Sequence, residues 1–137
     1  MITFAPFSQQ NFADSLIVTD GNLQHLYGIA GDNVYLLPDG EQAKCFAVAE
    51  GLCRWFLQKG FSRDGKVVAV GGGSVGDAVG FAASVYKRGV RLTHVPTTLL
   101  AMVDSSVGGK TAIDLDGVKN AVGTFYRADT LVDVRFL

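Results

Sequence analysis

Short apolar runs alternate along the chain with segments of helical periodicity, and turn residues separate them. Ser15-Leu-Ile-Val-Thr19 and Asn33-Val-Tyr-Leu-Leu37 read as strands, ending at Asp20-Gly21-Asn22 and at Pro38-Asp39-Gly40. Asp39 followed by Gln42 has the form of a helix N-cap with its reciprocal partner. Behind it, Cys45, Val48, Leu52 and Trp55 recur at i, i+3, i+7 and i+10, and Gly60 stands where a helix stops. Lys66-Val-Val-Ala-Val70 is apolar on both faces, as in a parallel strand covered by helices. Gly71-Gly-Gly-Ser-Val-Gly76 breaks it as a loop, and a small-residue helix follows from Asp77 to Arg88, closed by Gly89. Val90–Val95 is the next strand, halted by Pro96; Thr97-Thr98 opens a short helix through Val103, and Asp104–Lys110 follows as a loop. Thr111–Ile113 and Val118–Val122, around Leu115-Asp-Gly117, predict a hairpin, and Thr130–Val134 a last strand. The alternation predicts one α/β domain over residues 1–137, a Rossmann-like parallel sheet flanked by helices.

Composition narrows the partners. Hydrophobic residues make up 48% of 137, enough for a packed core and too many for a disordered chain. Twelve Lys+Arg against thirteen Asp+Glu give a net charge of −1, without the basic surplus of a nucleic-acid footprint. No apolar stretch reaches the ~18 residues of a membrane span, and no basic segment precedes an apolar run at the N-terminus. A cytosolic protein with Cys45 and Cys53 as reduced core thiols is the expectation. The 17 glycines are in excess, and they mark places where backbone bends tightly or approaches a ligand.

Gly71-x-Gly73-x-x-Gly76 fits the dinucleotide fingerprint between a strand and a helix, where absent side chains let backbone N–H groups meet a pyrophosphate. The ordinary Rossmann pattern then asks for an acidic residue about 20 positions on. Leu92-Thr-His-Val-Pro96 has none, so the ribose partner must come from elsewhere, with Asp20 and Glu41 as candidates. Asp77, directly after the run, suits either ligand contact or a helix N-terminus. Gly109-Lys110-Thr111 imitates a P-loop, but Asp104 stands where that loop needs glycine, and a carboxylate there would repel a triphosphate.

Pro96-Thr-Thr-Leu-Leu-Ala-Met-Val-Asp-Ser-Ser-Val-Gly-Gly-Lys-Thr111 resembles the 3-dehydroquinate synthase family of sugar-phosphate cyclases. Leu37–Lys44, Gly71–Asp77, Tyr86–Gly89 and Gly117–Asn120 extend the resemblance in the family's order. It implies a cytosolic lyase of the shikimate pathway that converts 3-deoxy-D-arabino-heptulosonate 7-phosphate to 3-dehydroquinate and phosphate. NAD would be a recycled cofactor and a divalent metal, Zn or Co, would polarise the hydroxyl being oxidised.

Carried over to this sequence, the resemblance implies NAD contacts from Asp20, Asn22, Asp39, Gly40, Glu41 and Lys44 on the adenosine side. Gly72, Gly73, Ser74, Val75, Gly76 and Asp77 would lie near the pyrophosphate, with Thr97, Thr98, Leu100 and Ser105 beside them. Asp104 would hold substrate hydroxyls, and Lys110, Lys119 and Asn120 would reach substrate and nicotinamide. Arg88 would bind phosphate across a homodimer interface. The family's metal ligands, one Glu and two His, belong to a second, helical domain that this stretch does not include. His25 and His94 match no ligand motif and read as structural, so no metal site is expected here. An NAD-binding domain that is inactive alone and prone to self-association is therefore the leading expectation. A free-standing binding or assembly module and a related sugar-phosphate cyclase are the alternatives.

Overall fold

The computed structural model describes residues 1–104 and 109–137 in full, and residues 105–108 only as part of a helical span. Among the described residues eight strands are present: β1 (Ile2–Phe4), β2 (Leu16–Asp20), β3 (Val34–Leu37), β4 (Lys66–Gly71), β5 (Arg91–Pro96), β6 (Lys110–Leu115), β7 (Val118–Phe125) and β8 (Asp129–Val132). Four α-helices join them: α1 (Gly21–Tyr27), α2 (Phe46–Gln58), α3 (Gly73–Val85) and α4 (Leu99–Gly108). Six strands form one sheet in the order β1-β8-β5-β4-β2-β3, every neighbouring pair parallel, while β6 and β7 form a separate antiparallel hairpin. The expected parallel α/β sheet is the observed architecture.

Both faces of the sheet are covered, which is why its strands lack polar alternation. On one face Leu16, Val18, Val67, Ala69 and Leu92 pack with Leu52 and Phe56 of α2 and Val79 and Ala82 of α3. On the other, Ile17, Val68, Val70 and Val95 meet Ile29 and the rings of Phe7, Phe12 and Phe136. Asp133 ties the ends of the chain together there: it accepts from the Phe7 N–H at 2.7 Å and from the Arg135 guanidinium at 2.6 Å. Those donors, the Arg135 guanidinium first, hold its carboxyl well below the usual range.

Four local expectations are corrected. Asp39 and Gln42 make no capping box; residues Gly40–Ala43 form a 3-10 turn, and α2 starts at Phe46 with Cys45 as its cap. Asp20-Gly21-Asn22 is a helix start, with the Asp20 carboxylate accepting from Leu23 N–H at 2.9 Å. The glycine run is no loop, because α3 already begins at Gly73. Nor is Asp104–Lys110 a loop: α4 runs to Gly108, capped at its start by Thr98 Oγ1 accepting from Ala101 N–H at 3.1 Å. Cys45 and Cys53 are free thiols as expected, though half-buried rather than core. β1 carries no sequence signal and exists because its backbone pairs with β8.

The hairpin turn places Asp116 at φ +51° and Gly117 at φ +78°, the double positive φ that a two-residue turn of this hand needs. Its inner side packs Ile113 and Val122 on Ala49 of α2 and Phe81 of α3. A Cβ on Gly80 would meet Thr111 Cγ2 at 2.6 Å, and Thr111 cannot swing away because its hydroxyl bonds that of Thr124 at 2.7 Å. Gly80→Ala is expected to destabilise by about 1–2 kcal/mol, overpacking outweighing the helix-propensity gain. Gly80→Ala with Thr111→Ser, which removes only that methyl, should recover most of the loss in urea unfolding.

His94 is buried in β5 between Ala69 and Thr130, and desolvation lowers its pKa to about 4. An unfolded chain protonates it below its ordinary value near 6.5, so its contribution to stability is present above that pH and lost as pH falls towards 4. Unfolding free energy should drop by about 2 kcal/mol more between pH 7 and 4.5 in the natural chain than in His94→Gln.

Candidate functional site

The chain runs from β2 outward to β3 and then returns to β4 on the other side of β2, so the strand order reverses between β2 and β4. Parallel α/β sheets bind ligands at such a reversal, outside the carboxyl ends of the strands. Thr19 Oγ1 joins the two strands there by donating to the Val70 carbonyl at 2.8 Å. Asp20, at the end of β2, and Gly72–Gly73, after β4, flank the crevice.

Three adjacent glycines serve three purposes. A Cβ on Gly71 would lie 2.6 Å from Val75 Cβ, so glycine lets β4 turn directly into α3. Gly72 is the α3 N-cap and supplies no side-chain acceptor, leaving the first N–H groups of the helix without a side-chain cap. Gly73 has nothing within 4 Å of its Cβ position, so open space lies directly over the positive end of a 13-residue helix. Thr98, which caps α4, stands beside this opening with Cγ2 3.5 Å from the Gly72 Cβ position.

Around it lies a network centred on Lys44, whose side chain is only 5% exposed. Its ammonium donates to Asn120 Oδ1 at 2.6 Å and to Asp77 Oδ2 at 3.0 Å, with Glu41 and Asp114 carboxylates each at 3.9 Å. A buried ammonium is tolerable only when paired in this way. Burial pushes the Asp77 carboxyl up, and the hydrogen bond and charge of Lys44 oppose that rise. Glu41 in turn accepts from Ser74 Oγ at 3.2 Å, which joins the turn before α2 to the first turn of α3.

The hairpin completes the site. A cleft of about 340 Å³ lies between Asp77 and the hairpin residues Lys110, Thr111, Asn120, Thr124 and Phe125. Lys110 and Lys119 are exposed, and the Lys110 ammonium stands 6.0 Å from the Phe125 ring centre. Ser84, Thr124 and Thr111 form a hydroxyl chain, with Thr124 Oγ1 donating to Ser84 Oγ at 3.0 Å, that fixes the hairpin to α3.

The fold thus brings together Glu41, Lys44, Ser74, Asp77, Lys110 and Asn120 from the expected set. Asn22, Asp39, Gly40, Thr98 and Leu100 are exposed and Thr97 half-buried at the same sheet edge, whereas Val75 and Gly76 are buried within α3. Asp104 is exposed on α4; Ser105 lies outside the residues whose side chains are described. Arg88 is not brought to the cleft: it follows the far end of α3, a helix about 20 Å long. Lys87 and Arg88 both adopt positive φ there. His25 is exposed on α1 and His94 is buried in the sheet; among the described residues no three His, Cys, Asp or Glu side chains are grouped so as to hold a metal ion. Asp114 also belongs to the site without a motif to mark it; its only sequence signal is a carboxylate between the apolar Ile113 and Leu115 of a strand.

Residues 34–137 match the family described as 3-dehydroquinate synthase N-terminal. The chain is 41% identical over 134 residues to a 3-dehydroquinate synthase of Dictyoglomus thermophilum, covering 94% of this chain and 38% of that protein. Among solved structures it resembles a 2-epi-5-epi-valiolone synthase of Streptomyces hygroscopicus subsp. jinggangensis with NAD+ and Zn2+ bound, at 32% identity and a TM-score of 0.86. That likeness covers 99% of this chain and 43% of the other. It also resembles a 2-deoxy-scyllo-inosose synthase complexed with carbaglucose-6-phosphate, NAD+ and Co2+, at 29% identity and a TM-score of 0.79, again over 99% and 43% of the two chains. The chain spans about two-fifths of the length of these relatives. A parallel six-stranded sheet with this glycine turn, and a sequence match over three-quarters of its residues, make the chain a member of the 3-dehydroquinate synthase family through that family's N-terminal portion.

Proposed function

We propose that the chain is the NAD-binding domain of a 3-dehydroquinate synthase, acting on 3-deoxy-D-arabino-heptulosonate 7-phosphate in the cytoplasm as part of the shikimate pathway. The observation that carries the reading is the uncapped, Cβ-free start of α3 opening onto the β2/β4 crevice. Its N–H groups and helix dipole suit a pyrophosphate, and a residue with a side chain at Gly73 would occupy that space. The 41% identity to a 3-dehydroquinate synthase, against 32% to a valiolone synthase, favours the dehydroquinate-forming reaction over that of a related cyclase.

NAD held at the start of α3, between Asp20 and Glu41, would supply a hydride acceptor for transient oxidation of a ring hydroxyl, the chemistry that would acidify the neighbouring C–H and permit loss of phosphate. The chain's own residues then have distinct tasks. Asp20 and Glu41, each at the carboxyl end of the sheet, would accept hydrogen bonds from ribose hydroxyls, Asp20 with the oxygen not engaged by Leu23 N–H. Lys44 acts through others: its ammonium is spent on Asp77 and Asn120, so it fixes those two groups. Because lysine offers only donors, the Asn120 oxygen must face it, and the amide N–H2 is left as the donor to a ligand. Lys110 and Lys119 supply positive charge at the rim for the anionic groups of the substrate, with Asp104 to accept its hydroxyls. Arg88, remote from its own cleft, would serve the phosphate of a second copy in a homodimer. For the divalent metal, Zn or Co, the described residues offer no donor set, and no step here runs through it.

Calorimetry should detect NAD binding by the chain, and Gly73→Asp should weaken it at least ten-fold through charge repulsion. The same carboxylate at a helix N-terminus should leave the melting midpoint unchanged or slightly raised. Equal affinity in the variant would refute the assignment of the pyrophosphate site. The chain alone should release no phosphate from the heptulosonate phosphate, with or without zinc, in a phosphate-release assay. Measurable turnover would place the metal centre among these 137 residues.

A further inference from the structure

In the β6–β7 hairpin, Ile113 pairs with Val122 and Leu115 with Val118. Asp114 alone therefore faces Lys119, Asn120 and Ala121, a bulge in which β7 carries two residues more than its partner. Bulges of this kind re-aim side chains, and this one carries the two rim residues assigned above to ligand contact. Asn120 sits at its apex with φ +56°, a left-handed conformation that needs a local partner to hold it.

We propose that Asp114 is the positioning residue of the site: it pins the bulge that presents Lys119 and Asn120 and fastens that bulge to the backbone of Lys44. Its carboxylate accepts from Asn120 N–H at 2.9 Å, replacing the ladder hydrogen bond that the bulge forfeits. Its own N–H leaves the hairpin and donates to the Lys44 carbonyl at 2.9 Å. The same carboxylate stands 3.9 Å from the Lys44 ammonium, so one residue engages both backbone and side chain of that lysine. The Asn120 N–H bond, foremost, holds the Asp114 carboxyl below its ordinary range, so it is ionised at neutral pH and remains an acceptor. Asp114 is not among the residues that line the cleft, and it acts on that space through its neighbours, Asn120 and Lys44 foremost.

The proposal rests on the NAD-binding reading for its consequence but not for its geometry, and two measurements separate them. By NMR hydrogen exchange, the Asn120 backbone amide should exchange at least ten-fold faster in Asp114→Ala than in the natural chain. In Asp114→Asn, which keeps a carbonyl acceptor at the same reach, it should stay within about two-fold. NAD affinity should follow the same order, falling roughly ten-fold in Asp114→Ala and recovering in Asp114→Asn, with melting midpoints alike. Asp114→Ser, whose shorter hydroxyl does not span the distance, gives the same comparison should the alanine variant not fold. An Asn120 amide indifferent to Asp114→Ala overturns the proposal whether or not NAD binds. Accelerated exchange with unaltered NAD affinity overturns the positioning role. A natural chain that takes up no NAD refutes the NAD-binding reading, while the exchange rates still decide whether Asp114 holds the bulge.

Discussion

One ammonium group organises the site. Lys44 is removed from water, and a buried cation that lost its partners would destabilise the fold by several kcal/mol. The turn before α2, the first turns of α3, and both strands of the hairpin therefore converge on it, through Glu41, Asp77, Asp114 and Asn120. Each of those elements could pack apolar surface in several ways. The observed arrangement also brings acceptors to the same nitrogen, so the lysine joins the hydroxyl chain and the Ile113–Phe81 packing in holding the hairpin on the domain.

The glycine run answers a different constraint. A parallel strand must pass straight into a helix if the helix N-terminus is to face the crevice, and side chains obstruct that passage. Gly71 removes the clash with Val75, Gly72 leaves the helix without a side-chain cap, and Gly73 leaves room above it. Its helix start and the Lys44 network are linked by the Ser74–Glu41 hydrogen bond and by Asp77, one turn further along α3. A positive helix end thus adjoins a cluster richer in carboxylates than in cations, with Lys110 lining the cleft and Lys119 exposed on the hairpin beside Asn120.

Much of this was legible in the residues. The runs at 15–19, 33–37, 66–70 and 90–95 declared strands because strands of a sheet covered on both faces are largely apolar. Gly60 and the Asp116-Gly117 pair declared a helix end and a hairpin turn because few other residues accept positive φ. Errors fell where local chemistry is ambiguous. Asp39 and Gln42 have the right spacing for a capping box, yet a 3-10 turn intervenes and Lys44 takes the turn's Glu41 as a partner instead. Glycine and serine at 73–76 and 104–106 suggest loops by propensity. Tertiary packing made the first stretch helical, since Val75, Ala78 and Val79 are buried against the sheet, and α4 extends through the second.

The sequence by itself determined the succession of β2 to β5, of helices α2 and α3 and of the hairpin, together with the glycine-bearing turn and the family, because these are written in runs and motifs of neighbouring residues. Which groups meet was decided only in three dimensions. Lys44 lies 76 positions from Asn120 and 33 from Asp77, and nothing local in the chain announces that one ammonium will serve both. Nor does Asp114 announce that it will hold a bulge, since a carboxylate in a strand acquires that task only when the partner strand carries extra residues with an unpaired N–H to give it. Long-range pairing sets such contacts, and it is driven by the need to satisfy buried charge and backbone polar groups, a condition on the whole fold rather than on any segment.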